Sequence, residues 1–345
     1  MHGAVIAREP ALPARYRRLV LQRFAETFVE ATQIVASPLS LPGPGELLVR
    51  NHWAGVNGVF DDRLARNRVE YLDIHPPCDI GIECVGEVVA IGEGVTGFQL
   101  GDAVATTRLG NGYREYLCTP ADRAIPIAAA TPEILTLIPT GISALVALEQ
   151  VAELRPGERI VISAAAGGLG HLLVQLARLK GAHVVGLAGT AEKCAAVASL
   201  GAHQVFNYRE ADLDAIFRQA YPQGFDVAYD TVGGPIFDLF LEHVAVRGRV
   251  ICSGYTADIE RPEPVTRPRI YTKLYWKAAS VRGFMNPLFS EHHADAARRL
   301  LQMYADGSLR VLVDAREFRG LEAVPQAIEH LLAGRNLGKV VVRLT

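Results

Sequence analysis

One segment, ISAAAGGLGHLLVQLARLKGAHVVGLAGT, constrains the fold of this chain more than any other. It predicts a buried strand, a glycine-rich turn, an amphipathic helix and a second strand in direct succession. Glycines in such a turn let backbone N–H groups approach a diphosphate at the positive end of the helix. Against the pattern GxGxxG the matching positions are Ala165, Gly167 and Gly170, so the strand–turn–helix context is stronger evidence than the spacing. A turn whose glycines only permit close helix packing is the alternative.

The same texture continues toward the C-terminus, because strand-length apolar runs alternate there with helical stretches. Such alternation is typical of an α/β fold with a doubly wound parallel sheet, covered by helices on both faces. The runs that predict strands are RIVISAAA, HVVGLA, HQVFNY, DVAYDTV, RVICSG and SVRGF.

The first part of the chain has a different texture. Between residues 16 and 119, short β-rich runs are separated by Gly and Pro clusters, which predicts a small irregular barrel. The segment TPEILTLIPTGISALVALEQVAEL has apolar residues at helical spacing and marks the domain boundary. The last strand, GKVVVRL, is predicted to return to the first domain. We therefore predict one domain from residues 1–132 and 285–345, and a dinucleotide-binding domain from residues 133–284.

Composition excludes several classes of protein. The chain has 345 residues, with 35 Lys and Arg against 37 Asp and Glu, and a formal net charge of −2. Without a basic block there is no electrostatic signature of nucleic-acid binding. We expect no membrane segment and no signal peptide. Five widely spaced cysteines fit neither a disulfide framework nor a CxxC metal site, so we expect a reducing, cytoplasmic compartment.

The end of the second predicted strand indicates which dinucleotide is bound. A site for NAD would place Asp or Glu there to bind the ribose 2′-hydroxyl, but this strand ends in Leu-Ala followed by Gly189 and Thr190. Lys193 follows, and Tyr208 and Arg209 come after the next strand. Cations without a carboxylate favour a 2′-phosphate, hence NADPH. Lys193 as an ordinary solvated helix residue is the alternative.

Metal and hydrolase chemistry lack a signature in this sequence. Candidate Cys, His and carboxylate ligands are scattered rather than grouped at ligand spacing, so we predict no metal site. No GxSxG motif is present, which removes the usual nucleophile of a hydrolase.

These residues together resemble the medium-chain dehydrogenase/reductase superfamily, in its zinc-independent quinone oxidoreductase and prostaglandin reductase branch. The resemblance covers nearly the whole chain and rests on LPGPGELLVRNHWAGVN, HPPCDIGIECVGEVVAIG, SAAAGGLG, DVAYDTVGGPIFDLFLEHVAVRGRV and KAASVRGF. It implies a GroES-like catalytic barrel beside a Rossmann cofactor domain. Asn57 and Ile82 stand where zinc alcohol dehydrogenases carry a ligand cysteine and a ligand histidine, so both catalytic zinc ligands are missing.

The resemblance also implies roles for individual residues. Asn57 would lie beside the nicotinamide, Ser143 would face the cofactor, and Asn336 would reach back to it from the C-terminal segment. Tyr255 would lie near the substrate and the cofactor. The implied cofactor-binding set also includes Ala165, Gly167, Gly168, Leu169, Gly170, Gly189, Thr190, Lys193, Tyr208, Val232, Gly254 and Phe284.

The activity that the resemblance implies is reduction of the carbon–carbon double bond of an α,β-unsaturated ketone or enoyl substrate by hydride transfer from NADPH. An NADPH:quinone oxidoreductase and a non-catalytic NADPH-binding protein are the alternatives. A basic stretch, RPEPVTRPRIYTKLYWK, could accept an enoyl thioester or be a solvated loop. The family also implies a homodimer, for which the predicted edge strand SVRGF is suited.

Two of these assignments have simpler readings. Tyr255 could be a loop residue that packs its ring, with the phenol in water. Asn57 follows a strand, where asparagine often satisfies backbone groups in a turn.

Overall fold

The computed structural model describes residues 6–7, 12–69, 71–258 and 270–345. They fall into two compact units, one formed by residues 1–139 and 313–345 and the other by residues 140–312. The units differ from the predicted domains at two places. Residues 133–139 belong to the first unit, because their helix packs on the strands of its main sheet. Residues 285–312 belong to the second, where Arg299 pairs with Glu149 at 2.7 Å.

The first unit is mainly antiparallel. Its strands are β1 (Ile6–Ala7), β2 (Arg15–Leu21), β3 (Thr32–Pro38), β4 (Glu46–Gly55), β5 (Cys78–Asp79), β6 (Glu83–Ile91), β7 (Ala103–Thr107), β8 (Tyr116–Pro120), β9 (Ile125–Pro126) and the last strand of the chain, β16 (Val341–Arg343). Its helices are α1 (Phe28–Ala31), α2 (Gly58–Ala65), α3 (Pro132–Thr136) and α11 (Val324–Leu332).

The main sheet of this unit has the strand order β16-β4-β6-β7-β9, with β1 also on β6 and β8 also on β4, while β3, β2 and β5 form a smaller sheet. Strand β16 lies antiparallel to β4, with Val342 opposite Ala54, so the last strand returns to the first unit as predicted. Helices α2 and α11 pack over a core of apolar side chains that includes Leu64 and Ile328.

The second unit is an alternating α/β structure. Its elements in chain order are α4 (Ile142–Val146), β10 (Arg159–Ile162), α5 (Gly170–Leu179), β11 (His183–Ala188), α6 (Ala191–Ser199), β12 (Gln204–Asn207), α7 (Leu213–Ala220), β13 (Phe225–Asp230), α8 (Gly234–His243), β14 (Val244–Cys252), α9 (Tyr271–Tyr275), β15 (Ser280–Gly283) and α10 (His293–Ala305).

The strands of this unit are parallel and lie in the order β12-β11-β10-β13-β14-β15. Numbered from the first strand of the unit, the order is 3-2-1-4-5-6, which is that of the doubly wound dinucleotide-binding fold. The predicted Rossmann sheet is confirmed. Strand β15 is the edge strand, as the sequence suggested.

The apolar segment at the boundary is not the single helix that its spacing predicts. Ile138 has φ −124° and ψ 104°, outside the helical region, because the following Pro139 disfavours helical backbone at the residue before it. By composition, the stretch Pro132–Val151 is apolar enough to span a bilayer, with a mean hydropathy of 1.6. However, 72% of its most apolar 18-residue window is buried within the protein, and a core helix passes the same test.

Candidate functional site

The predicted cofactor residues of the second unit converge at one edge of the parallel sheet. Ser143 lies on α4, and Gly170 and Lys193 lie in the first turns of α5 and α6, whereas each of the others follows the carboxyl end of a strand. The turn 163–169 follows β10, Gly189 and Thr190 follow β11, Tyr208 follows β12, Val232 follows β13, Gly254 and Tyr255 follow β14, and Phe284 follows β15. Ser143 is half-buried on α4. Ligands of doubly wound sheets bind outside these carboxyl ends, at the point where the strand order reverses, which here is between β10 and β13.

The glycine-rich turn needs its last glycine for space rather than for an unusual backbone angle. A Cβ on Gly170 would lie 2.2 Å from the Ala164 carbonyl oxygen, whereas a Cβ on Gly167 would meet the same oxygen at 3.2 Å. Within the described part of the chain, the N–H groups of Leu169 and Gly170 donate to no protein acceptor. Such N–H groups at the start of a helix form an anion-binding site of the type that holds a diphosphate.

A buried histidine, His171, connects the glycine-rich turn to the backbone at Leu312. His171 Nδ1 lies 2.9 Å from the Gly167 carbonyl oxygen, and Nε2 accepts a hydrogen bond from Leu312 N at 3.0 Å. The ring therefore carries its proton on Nδ1. Burial lowers the pKa of His171 to about 4, which keeps it neutral near pH 7. Sequence reasoning did not identify His171, and only its place in the first turn of α5 could have suggested it.

Strands β11 and β12 end without a carboxylate, and the nearest acids in the chain are Glu192 in the first turn of α6 and Glu210 after Arg209. Thr190 caps α6 by accepting from Lys193 N at 3.3 Å, which places the Lys193 side chain in the first turn of that helix. The ring of Tyr208 covers Gly189, where a Cβ would lie 2.9 Å from the phenol oxygen. The Arg209 guanidinium stacks over the Tyr208 ring at 5.8 Å. Two cations and an aromatic ring at this edge suit a nucleotide that carries a 2′-phosphate.

The loops after β13 and β14 are tied to one another. Asp230 is buried and accepts from the backbone N–H groups of Val232 and Gly233 at 2.9 and 3.0 Å. Ala257 N donates to the Val232 carbonyl at 2.8 Å. Gly254 lies so close to this loop that a Cβ would be 2.8 Å from the Thr231 carbonyl oxygen. These contacts hold Val232 and Gly254 at the sheet edge.

Tyr255 follows Gly254 in the loop after β14, and Phe284 follows β15. Tyr255 is 45% exposed. Phe284 N donates to the Cys252 carbonyl at 2.9 Å, and its ring lies 5.5 Å from that of Phe289. In the basic stretch of the sequence analysis, residues 261–269 fall outside the described residues, while Lys273 pairs with Glu242.

In the first unit, Asn57 occupies the N-cap position of α2 without capping the helix through its side chain. Its side-chain oxygen instead accepts from Lys339 Nζ at 3.1 Å. Lys339 Nζ also lies 2.6 Å from Glu83 Oε1, and both side chains are at most 5% exposed. The carboxylate fills the space beside Gly55, where a Cβ would be 1.8 Å from Glu83 Oε1. The structure thus contradicts the simpler reading of Asn57 as a helix or turn cap.

A second buried acid, Asp61, contacts the backbone of Asn57. Asp61 Oδ2 accepts from Asn57 N at 3.1 Å and from the Tyr113 hydroxyl at 2.7 Å. Burial raises the pKa of Asp61 to about 7, although both hydrogen bonds and the nearby Lys339 act in the opposite direction. Asn336, three residues before Lys339, donates from Nδ2 to the Gly338 carbonyl at 2.8 Å.

Sequence reasoning missed the four residues around Asn57, namely Asp61, Glu83, Tyr113 and Lys339. Two of them had a visible signal, since Glu83 and Lys339 each interrupt an apolar run in GIECVGEVVAIG and GKVVV. Opposite charges in two buried strands predict an ion pair, because an isolated buried charge is too costly. The described residues contain no group of three or more His, Cys, Asp or Glu side chains that could hold a metal ion.

The geometry agrees with comparisons to known proteins. The alcohol dehydrogenase GroES-like domain family matches residues 43–129, and the zinc-binding dehydrogenase family matches residues 168–302. Prostaglandin reductase-3 of Mus musculus is 39% identical over 97% of this chain and 91% of its own length. The chain therefore belongs to the medium-chain dehydrogenase/reductase superfamily, among its prostaglandin reductase and quinone oxidoreductase relatives.

One further relative is NADP⁺-dependent by name, and another was solved with NADPH. A 2-alkenal reductase (NADP(+)-dependent) of Nicotiana tabacum is 28% identical over 90% of this chain and 91% of its own length. The quinone oxidoreductase of Escherichia coli, solved in complex with NADPH, has a TM-score of 0.80 and 25% identity, over 95% of this chain and 99% of that chain.

Proposed function

We propose that this protein is an NADPH-dependent reductase that adds hydride to the β-carbon of an α,β-unsaturated carbonyl compound. The observation that supports the proposal lies at the carboxyl ends of the parallel strands. There the N–H groups of Leu169 and Gly170 begin α5 without a protein acceptor among the described residues, and Lys193, Tyr208 and Arg209 follow strands that end without a carboxylate. The prostaglandin reductase and 2-alkenal reductase relatives support the double-bond chemistry.

NADPH is the cofactor of this enzyme, and when bound it supplies the hydride. The N–H groups of Leu169 and Gly170 would hold the diphosphate, and Lys193 with Arg209 would hold the 2′-phosphate. Val232, Gly254 and Phe284 would line the cofactor, together with Ser143 and Asn336. These residues bind and orient, and positioning accounts for most of the rate of such a reaction.

Asn57 and Tyr255 are the proposed catalytic residues. As hydride reaches the β-carbon, negative charge develops on the carbonyl oxygen, and hydrogen-bond donors stabilise it. The Tyr255 hydroxyl, or water, would give the α-carbon the proton that completes the saturated ketone. We propose no zinc in this reaction, because Asn57 stands at the position of a ligand cysteine.

The test is a turnover panel with purified protein, following NADPH oxidation with a medium-chain enone, an enoyl thioester and a naphthoquinone, and with NADH as the control cofactor. We expect the enone or the thioester to be reduced, with NADPH preferred. Asn57→Ala should lower turnover by about a hundredfold while NADPH affinity stays within about threefold. Unchanged turnover in that variant would contradict the site assignment.

A second candidate function is NADPH:quinone reduction, which the solved Escherichia coli relative favours. It uses the same cofactor contacts, so the naphthoquinone arm of the panel separates the two. Turnover of the quinone alone would select it. Tight NADPH binding without turnover of any acceptor would indicate a non-catalytic binding protein.

We also propose that the protein is a homodimer in which the edge strand β15 of one copy pairs with that of the other. The support is the position of β15 at the end of the sheet order. An edge strand exposes unpaired backbone groups, and an isologous pairing would cover them.

A further inference from the structure

Lys339 and Glu83 form a buried ion pair that has a second partner at Asn57. Nζ of Lys339 lies 2.6 Å from Glu83 Oε1 and 3.1 Å from Asn57 Oδ1. Glu83 has no exposed surface, and within the described part of the chain its two carboxylate oxygens meet no further hydrogen-bond donor. The carboxylate therefore holds the ammonium group in place, and the ammonium group in turn contacts the amide.

The chemistry of lysine decides how the Asn57 amide is turned. An ammonium group has three N–H donors and no acceptor, so only the oxygen of the amide can face it. The –NH₂ half of the amide must then point away from Lys339. Within the described ranges, Asn57 Nδ2 donates to no protein acceptor, so its N–H groups are available to a ligand.

The local backbone would favour a different arrangement. Asparagine is among the most favourable N-cap residues because its side-chain oxygen accepts from a backbone N–H of the first helical turn. Asn57 holds the N-cap position of α2 but makes no such bond. Instead, the carboxylate of Asp61 accepts from the backbone N–H of Asn57 at 3.1 Å. The side-chain oxygen thus goes to Lys339 at the expense of the cap.

We propose that Lys339, held by Glu83, is a positioning residue that fixes the Asn57 amide with its oxygen inward and its N–H groups outward, so that Asn57 acts on its ligand as a hydrogen-bond donor. This inference rests on the proposed function of Asn57. It explains why a charged pair is retained in a buried part of the first unit. It also specifies which half of the Asn57 side chain faces the reaction.

The first experiment distinguishes a donor from an acceptor at position 57. Asn57→Asp replaces –NH₂ by a second oxygen of nearly the same size, and its carboxylate can still pair with Lys339. We expect this variant to lose as much turnover of the enone as Asn57→Ala does, because neither can donate. Turnover close to wild type in Asn57→Asp would overturn the proposal.

The second experiment asks whether Lys339 acts through Asn57. Lys339→Met alone would leave Glu83 buried without a counter-charge and could prevent folding, so it is combined with Glu83→Gln. We expect this double variant to lower kcat by about tenfold while the affinity for NADPH is retained. In the Asn57→Ala background the same two changes should lower kcat by less than about twofold. An equal loss in both backgrounds would show that Lys339 acts on the fold or on the substrate itself.

A spectroscopic readout keeps the inference testable if the proposed function fails. With ¹⁵N-labelled asparagine, the Nδ2 signal of Asn57 is the one that disappears in Asn57→Asp. We expect it to shift in Lys339→Met/Glu83→Gln, because the oxygen loses its ammonium partner. An unmoved signal overturns the proposed orientation whatever the turnover. A moved signal in a protein whose turnover does not depend on Asn57 would support the orientation and reject the catalytic role.

Discussion

At the scale of single residues, two ionisable groups of the first unit, Asp61 and Tyr113, are buried and share one hydrogen bond. Burial raises the pKa of both groups, that of Asp61 to about 7. A carboxyl group whose pKa is higher in the folded than in the unfolded state stabilises the fold most at low pH. Its contribution is lost as the pH rises from about 4 toward 7.

Asp61→Asn tests this linkage, because an amide does not ionise. The free energy of unfolding of the variant minus that of wild type should rise by about 4 kcal/mol from pH 4 to pH 8. Urea denaturation at a series of pH values measures the difference, in which the other titrating groups cancel. Parallel pH profiles for the two proteins would show that Asp61 has an ordinary pKa.

Lys193 belongs to the same scale, because its charge is the proposed source of the preference for NADPH. Lys193→Ala should raise the KM for NADPH by roughly tenfold and leave that for NADH nearly unchanged, since only NADPH carries the 2′-phosphate. Steady-state kinetics with both cofactors measures the ratio. Glu192→Gln, the adjacent substitution in the same helical turn, serves as the control and should not lower the preference for NADPH. An equal effect of Lys193→Ala on the KM values of the two cofactors would show that Lys193 does not contact the 2′-phosphate.

At the scale of elements, the glycine-rich turn shows a packing requirement that GxGxxG spacing alone does not describe. Gly167 and Gly170 both have negative φ, so neither is required by backbone conformation. Gly170 is required because the start of α5 touches the backbone of Ala164 and Ala165, in the turn that follows β10. The alternative of the sequence analysis, glycines for close packing, therefore applies to Gly170, and the same closeness brings the helix N-terminus to the proposed diphosphate site.

Gly170→Ala and Gly167→Ala form a matched pair at this scale. The added methyl at position 170 would lie 2.2 Å from a backbone oxygen, which must move, so we expect a loss of about 1–3 kcal/mol in stability and of most NADPH affinity. At position 167 the contact is 3.2 Å, and a shift of a few tenths of an ångström relieves it. Thermal unfolding and fluorescence titration with NADPH measure both. Equal effects of the two substitutions would contradict this account.

The element order also shows where sequence patterns succeed. Period and turn chemistry predicted the strands of the parallel sheet, because a strand buried on both faces appears as an unbroken apolar run. They failed for residues 132–151, where apolar spacing predicted one helix and the backbone breaks at Ile138. The helical spacing of apolar residues shows which side of this segment is buried. The break in the backbone at Ile138 has a different cause, which is the ring of Pro139.

At the scale of the whole molecule, the edge strand β15 decides how two copies could associate. Phe284 N donates to Cys252, so alternation along a parallel strand turns the backbone groups of Gly283 away from β14. Those groups are the ones that a second copy would pair with. The proposed dimer therefore needs the N–H group of Gly283 as a hydrogen-bond donor to the second copy.

Gly283→Pro removes that N–H group without removing a bond to β14 and should weaken the dimer. Gly283→Ala is the control, because it keeps the N–H group and its Cβ would meet nothing within 4 Å. Sedimentation velocity at several concentrations measures the mass of each protein. We expect wild type and Gly283→Ala at twice the mass of the chain, and Gly283→Pro shifted toward the monomer. A monomeric wild type would contradict the proposal directly.

The amino-acid sequence was enough to predict the class of fold, the position of the glycine-rich turn and the lack of a carboxylate at the end of β11, because these depend on local period, on turn chemistry and on single residue identities. Only the tertiary structure decided what surrounds Asn57. Glu83 and Lys339 are 256 positions apart in the numbering, and their ion pair exists because the last strand of the chain pairs with β4 of the first unit. A local pattern can show that each buried charge needs a partner, but it does not show which distant residue supplies it, and that contact determines which half of the Asn57 amide is available to a ligand.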